Sequence, residues 1–148
     1  MKQAVLTFLF AALLYQASAQ NKKIVGVWWN QEFTLRAELY EKEGKIHGRI
    51  VWLKEDSNPD GSKPRTDINN PDKKLATRKL IGATIMHNLH WDAEKKEWHS
   101  GEIYDPKSGS TYSCYAHMQS DGTVYLKAYV WGMPFIGKGT VWTRYTED

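Results

Sequence analysis

The chain has 148 residues, with 20 basic and 17 acidic side chains and a net charge of +3 at pH 7. So small and dispersed an excess excludes an electrostatic nucleic-acid surface, and no nucleic-acid partner is expected. A lone cysteine, Cys114, excludes an intramolecular disulfide, so stability must rest on packing.

In chain order, Lys2 precedes an apolar run, Val5–Tyr15, that is too short to span a bilayer. Ala17-Ser18-Ala19 then supplies the small residues that a signal peptidase accepts. This pattern predicts a signal peptide over 1–19, cleaved before Gln20. The rest would be an exported mature chain, periplasmic or secreted, folding as a single domain over 20–148. No downstream run is apolar enough to span a membrane. Removing Lys2 from the 20 bases leaves 19 against 17 acids. All seven Trp lie past the leader, and core or ligand surface must absorb most of them.

Alternation dominates the chain beyond the leader. "IVGVWW" opens the series. In "EFTLRAELYE", Phe33, Leu35, Ala37 and Leu39 share one face, opposite Glu32, Thr34, Arg36 and Glu38. "EKEGK" turns at Gly44 into "KIHGRIVWL", which puts Ile46, Ile50 and Trp52 on one face. Val51 and Leu53 make its second face apolar too, so a cover is expected there. After a long loop come "LIGATIMHNLHW", "KEWHSGEIYD", "STYSCYAHMQ", "TVYLKAYVW" and "GKGTVWTRY", separated by "DAEKK", "PKSG", "SDG" and "GMPFI". Eight short-looped strands without an intervening amphipathic helix predict antiparallel neighbours, best closed as an all-β barrel, with a two-sheet sandwich as the alternative.

The long loop, "KEDSNPDGSKPRTDINNPDKKLATRK", holds a near match to a calcium loop: Asp56, Asn58, Asp60, Gly61 and Asp67. Asp67 is shorter than the glutamate usual at that last position, the segment leaves a strand rather than a helix, and its seven bases exceed its five acids. Turns at Asp56, Asp60 and Gly61 are the preferred reading, with a short helix capped by Asn70 and started by Pro71. Leu75 is expected to face inward, making the segment a cover on the barrel.

No metal or cofactor is expected. His87 and His90, three apart on a strand, should face opposite ways, as should Cys114 and His117. A site built from His47, His87, His99 or His117 would need cross-strand coincidence. Cys114 alternates with Tyr112, Ala116 and Met118 on a face read as interior, where a thiol is inert. No nucleophile elbow, zinc-protease motif or nucleotide loop occurs, so no catalytic residue is nominated. In "TVYLKAYVW", Val124, Leu126, Ala128 and Val130 are assigned inward. Tyr125, Lys127, Tyr129 and Trp131 are assigned outward, with a ligand-facing aromatic stripe as the alternative.

Two resemblances refine this. Gly26-Val27-Trp28 near the start and Trp142-Thr143-Arg144 near the end resemble the lipocalin and fatty-acid-binding superfamily, the calycins. There an early Gly-x-Trp packs under the barrel beneath a late Arg. The resemblance implies structural roles for Gly26, Trp28 and Arg144. The blocks "IVWLKE", "KPRTDINNPD", "RKLIG", "IYDPKSG" and "WTR", in this order, resemble the bacterial family catalogued as domain of unknown function 2147. That resemblance implies a lipocalin-like barrel and export, and it carries no catalytic residues.

Small residues at inward positions, namely Ala37, Gly48, Cys114, Ala116 and Ala128, favour a hollow interior. The expected lining is Phe33, Leu35, Ile50, Trp52, Tyr112, Cys114, Leu126 and Ala128. The resulting expectation is an exported protein that binds a small apolar or amphipathic molecule. A surface module for glycan or protein, and an enzyme with an unrecognised site, stand as alternatives.

Overall fold

The structure, a computed structural model, describes residues 2–147. A helix, α1 (Lys2–Ile24), leads into eight strands: β1 (Gly26–Trp29), β2 (Leu35–Lys42), β3 (Lys45–Leu53), β4 (Thr84–Asp92), β5 (Glu97–Asp105), β6 (Ser110–Met118), β7 (Val124–Val130) and β8 (Met133–Arg144). Each strand pairs antiparallel with the next, and β1 pairs with β8 through Trp28↔Arg144 and Trp29↔Thr143. The result is a closed eight-stranded barrel, in which every strand finds two partners and no edge is left open.

The two ends of the barrel differ. One end is packed solid by Trp28, Leu39, Ile46, Met86, Leu89, Trp98, Val124 and Trp142. Here the small inward residues make room for large neighbours rather than for a cavity. A Cβ on Gly48 would stand 2.9 Å from Leu39 and 3.1 Å from Met86, and one on Gly101 would stand 2.5 Å from Leu89. Ala37, Cys114 and Ala116 are buried in the same cluster. Tight packing of this kind tolerates no added methyl without displacement.

The last turn of α1 closes this end. Ile24 is buried, and the Trp28 indole donates to its carbonyl at 2.8 Å. The Trp98 Nε1 donates to Oδ1 of the fully buried Asn21 at 2.8 Å, while Asn21 Nδ2 donates to the Gly44 carbonyl. Earlier in α1, Val5, Leu6, Phe8 and Leu9 are all exposed. Among the described residues, no helix is long and apolar enough to cross a membrane.

Across the same end lies Arg144. Its guanidinium sits 4.2 Å from the Trp28 ring centroid. It donates from Nη1 to the Val25 carbonyl at 3.0 Å and from Nη2 to that of Lys23 at 2.6 Å. Gly26 is required here, because any Cβ would collide with Arg144 Nη1 and its φ is +137°.

Three boundaries depart from the periodicity. β2 begins at Leu35, because residues 31–34 turn, with Phe33 left-handed at φ +54°. β4 begins at Thr84, and Leu80 belongs to the loop. β8 begins at Met133, inside the segment read as a break, because Trp131-Gly132 alone make the turn. The helix expected after Asn70 amounts to consecutive turns with one α-type bond, Ala76 N–H to the Asp72 carbonyl. The Asn70 Oδ1 caps it by accepting from the Asp72 N–H, and Leu75 faces solvent rather than inward.

Candidate ligand-binding cavity

At the opposite end the barrel is hollow. A cavity of about 680 Å³ opens there, walled by Leu35, Ile50, Leu53, Ile85, Ile103, Leu126 and Ala128, with Trp142 among the residues lining it. Tyr104, Tyr112 and Thr140 add hydroxyl-bearing side chains to the wall, and Glu32, Glu55, Arg65, Lys107 and Lys138 stand among its lining residues.

Of the expected lining, Leu35, Ile50, Tyr112, Leu126 and Ala128 surround this space. Three residues do not. Phe33 is 55% exposed, because the turn before β2 lifts it out of the alternation. Cys114 faces inward but lies in the packed end, away from the cavity. Its thiol is pushed up to about 12, mainly by burial and then by the charge of Glu102, which leaves it unreactive.

Trp52 is turned outward by a bulge. The β2–β3 ladder steps from Ala37↔Ile50 to Arg36↔Trp52, so Val51 is an extra residue. One inserted residue reverses every side chain beyond it. Leu53 therefore enters the cavity, and Trp52 joins Trp29 and Tyr145 around Arg36, whose guanidinium lies 4.3–5.0 Å from the three rings. The apolar Leu53 on the supposed second face was the sequence signal for this bulge. Ile85 and Met86 are adjacent and both buried for a similar reason, the ladder shifting between Gly48↔Met86 and Arg49↔Thr84.

The loop between β3 and β4 is fastened to the barrel beside the cavity. Asp67, fully buried, is its anchor. Its Oδ1 accepts from the Tyr104 hydroxyl at 2.6 Å. Its Oδ2 accepts from Arg78 Nε at 2.9 Å and Asn70 Nδ2 at 2.8 Å. Burial, and next the hydrogen bond to Asp67, pushes the Tyr104 hydroxyl up to about 12. Asn69 Nδ2 donates to the carbonyls of Pro106 and Lys107, binding the loop to the β5–β6 turn. Gly109, at φ +72°, leaves space for the Asn69 carbonyl that a Cβ would take. From this loop Leu80 joins Ile50, Ile85 and Tyr104 in a second apolar cluster.

The calcium-like residues are engaged in these same turns. Asp60 Oδ1 accepts from the Ser62 N–H and hydroxyl, Asp56 pairs with Lys63, and Asn58 Oδ1 accepts from the Thr66 N–H. Asp67 points to Tyr104 and away from them. Among the described residues, no group of three or more His, Cys, Asp or Glu side chains is arranged to hold a metal ion.

The histidines fall outside. Asn88, left-handed at φ +61°, bulges β4, so His87 and His90 share the outer face rather than opposing. His87 meets His47 at 6.0 Å, and His90 meets His99 at 4.5 Å. Burial, then the neighbouring His87, pulls the His47 imidazole below its ordinary value; burial, then His90, does the same to His99. Tyr125 and Tyr129 also face outward, beside Tyr115, and Tyr125 stacks with His117.

Comparison with known proteins places this geometry. A solved structure, protein HP1028 from the human pathogen Helicobacter pylori, described as belonging to the lipocalin family, superposes with a TM-score of 0.69. It is 26% identical, and the match covers 84% of each chain. No curated protein matches this sequence. Residues 26–144 match the model for "Uncharacterized protein conserved in bacteria (DUF2147)", so the whole barrel from Gly26 to Arg144 is that domain. The chain therefore belongs to the bacterial DUF2147 family and has its fold from the lipocalin-like barrels.

Proposed function

We propose that this protein is an exported carrier that holds one small apolar or amphipathic molecule in the open half of its barrel. The observation that carries the reading is the cavity itself. At about 680 Å³ it lies within the usual range for small-molecule sites, about 300–1,000 Å³, and its wall is mainly aliphatic. The Tyr112 hydroxyl on the wall and ionic groups at the rim would orient a polar head, while the aliphatic wall takes a hydrocarbon tail. The lipocalin description of the similar Helicobacter structure is in keeping with such a role.

Export rests on the leader pattern. Cleavage after Ala19 would remove most of the exposed apolar helix and leave Asn21 and Ile24, which plug the closed end. A mature chain beginning at Gln20 would keep both side-chain hydrogen bonds of Asn21, to Gly44 and Trp98.

The test is native mass spectrometry of protein recovered from its exporting host. One bound lipophilic molecule per chain, removed by organic extraction, is the expected result. A second reading, a surface module for glycan, draws on the outward row of Tyr115, Tyr125 and Tyr129. An empty barrel combined with glycan binding lost in Tyr125→Ala would favour it.

A further inference from the structure

The open end also carries apolar side chains that the cavity does not use. Between β7 and β8 the ladder steps from Val130↔Met133 to Tyr129↔Gly137, so Pro134, Phe135 and Ile136 have no partner on β7. They form a projecting wedge with the turn before them. Trp131 is 85% exposed and Phe135 78% exposed, with Met133 and Ile136 also at the surface. On the adjoining β1–β2 turn, Phe33 is exposed as well. Ile136 belongs to both surfaces, since it also lines the cavity.

A wedge of Trp, Phe, Ile and Met is costly to keep in water and suits the headgroup–acyl boundary of a bilayer. Tryptophan in particular favours that boundary. The charges around it lean basic. Three ion pairs at this end, Glu32 with Lys138, Asp56 with Lys63 and Asp67 with Arg78, cancel. Among the described residues of the β3–β4 loop and β5–β6 turn, Lys54, Arg65, Lys73, Lys74, Lys79 and Lys107 stand outside any ion pair, against Glu55, Asp60, Asp72 and Asp105, which leaves a basic excess of two. Basic side chains beside an apolar wedge attract anionic lipid headgroups.

We propose that this end of the barrel docks on an anionic lipid surface. The Trp131–Ile136 wedge enters the headgroup region, and the cavity mouth faces the membrane. The proposal goes beyond the carrier reading and does not depend on it: an empty barrel could dock in the same way.

The test places an environment-sensitive nitrobenzoxadiazole dye on Phe135→Cys in the full chain. Cys114 is buried and will not take the label. A second labelled variant, Asp121→Cys, reports on the β6–β7 turn at the closed end, the end where Tyr15, Gln16 and Ala19 of α1 lie beside Met118. With vesicles of phosphatidylcholine and phosphatidylglycerol, the dye at 135 brightens and shifts to the blue, less so on phosphatidylcholine alone, and the dye at 121 does not respond. Adding Trp131→Ser lowers the vesicle-bound to free ratio about tenfold. No response at 135 overturns the proposal. A response at 121 equal to that at 135 overturns it in favour of binding through α1. A concentration-dependent response at 135 without lipid overturns it in favour of a second copy of the chain. Equal responses on both vesicle types overturn the anionic assignment.

Discussion

The Tyr104 hydroxyl donates to the buried Asp67 carboxylate over 2.6 Å, and through that bond the long β3–β4 loop is held to the barrel wall. Arg78, from the same loop, closes the arrangement with its Nη2 at 2.9 Å from Asp67. Removing the carboxylate strands a buried hydroxyl and a partly buried guanidinium. Asp67→Ala should therefore destabilise the fold by about 3 kcal/mol, and Tyr104→Phe by about 1–2 kcal/mol, in urea titrations. Hydrogen exchange over residues 54–83 should quicken in Asp67→Ala. The tyrosine also sets an alkaline limit. Its pKa is raised on folding from 10.0 to about 12, so its contribution is full below pH 10 and is lost as pH rises toward 12. Tyr104→Phe should flatten the loss of stability in that window.

At the closed end, Arg144 combines a ring contact with two carbonyl bonds, and substitutions can separate them. Arg144→Ala should cost about 1–2 kcal/mol. Arg144→Lys keeps the charge but not the two-pronged geometry, and should recover less than half of that loss. A double-mutant cycle of Arg144→Ala with Trp28→Leu should show coupling of about 0.5 kcal/mol or more. Strict additivity would mean that the contact contributes nothing.

The paired histidines predict an acid dependence. His47 and His99 both have folded pKa values below the ordinary 6.5, so the unfolded chain binds protons more readily than the native one. Their contribution is present above about pH 6.5 and is lost as pH falls through that value toward their folded pKa values. Urea midpoints should drop between about pH 7 and pH 5, and His47→Gln with His99→Gln should reduce the drop. An unchanged pH profile in the double variant would place the acid sensitivity elsewhere.

Much of the barrel was legible because alternation is a strong signal when one face is buried. Ala37, Leu39, Ile46, Ile50, Leu126 and Ala128 all face inward as their parity indicates. Parity failed where the backbone inserts a residue. Val51 turned Trp52 out and Leu53 in, and Asn88 brought His87 and His90 to one face. A bulge leaves little trace in composition, because any residue can serve as the extra one. Nor could small residues be read as space: Gly48 and Cys114 are filled by neighbours from other strands, which only the tertiary arrangement supplies. The blocks that suggested the family acquire a physical account. Asp67 of "RTDINN", Arg78 of "RKLIG" and Tyr104 of "YDP" are far apart in sequence and meet in one hydrogen-bonded hub.

If the open half of the barrel holds an apolar tail, the cavity wall offers the direct measurement. Ala128 lines the cavity, and a larger side chain there would occupy the space without burying a charge. A fluorescent fatty acid should be titrated into wild type and into Ala128→Trp, with circular dichroism showing both folded. Saturable one-to-one binding by the wild type, weakened at least about tenfold in Ala128→Trp, is the predicted result. A folded wild type that binds no apolar probe, or a folded Ala128→Trp that binds it equally well, would contradict the carrier role.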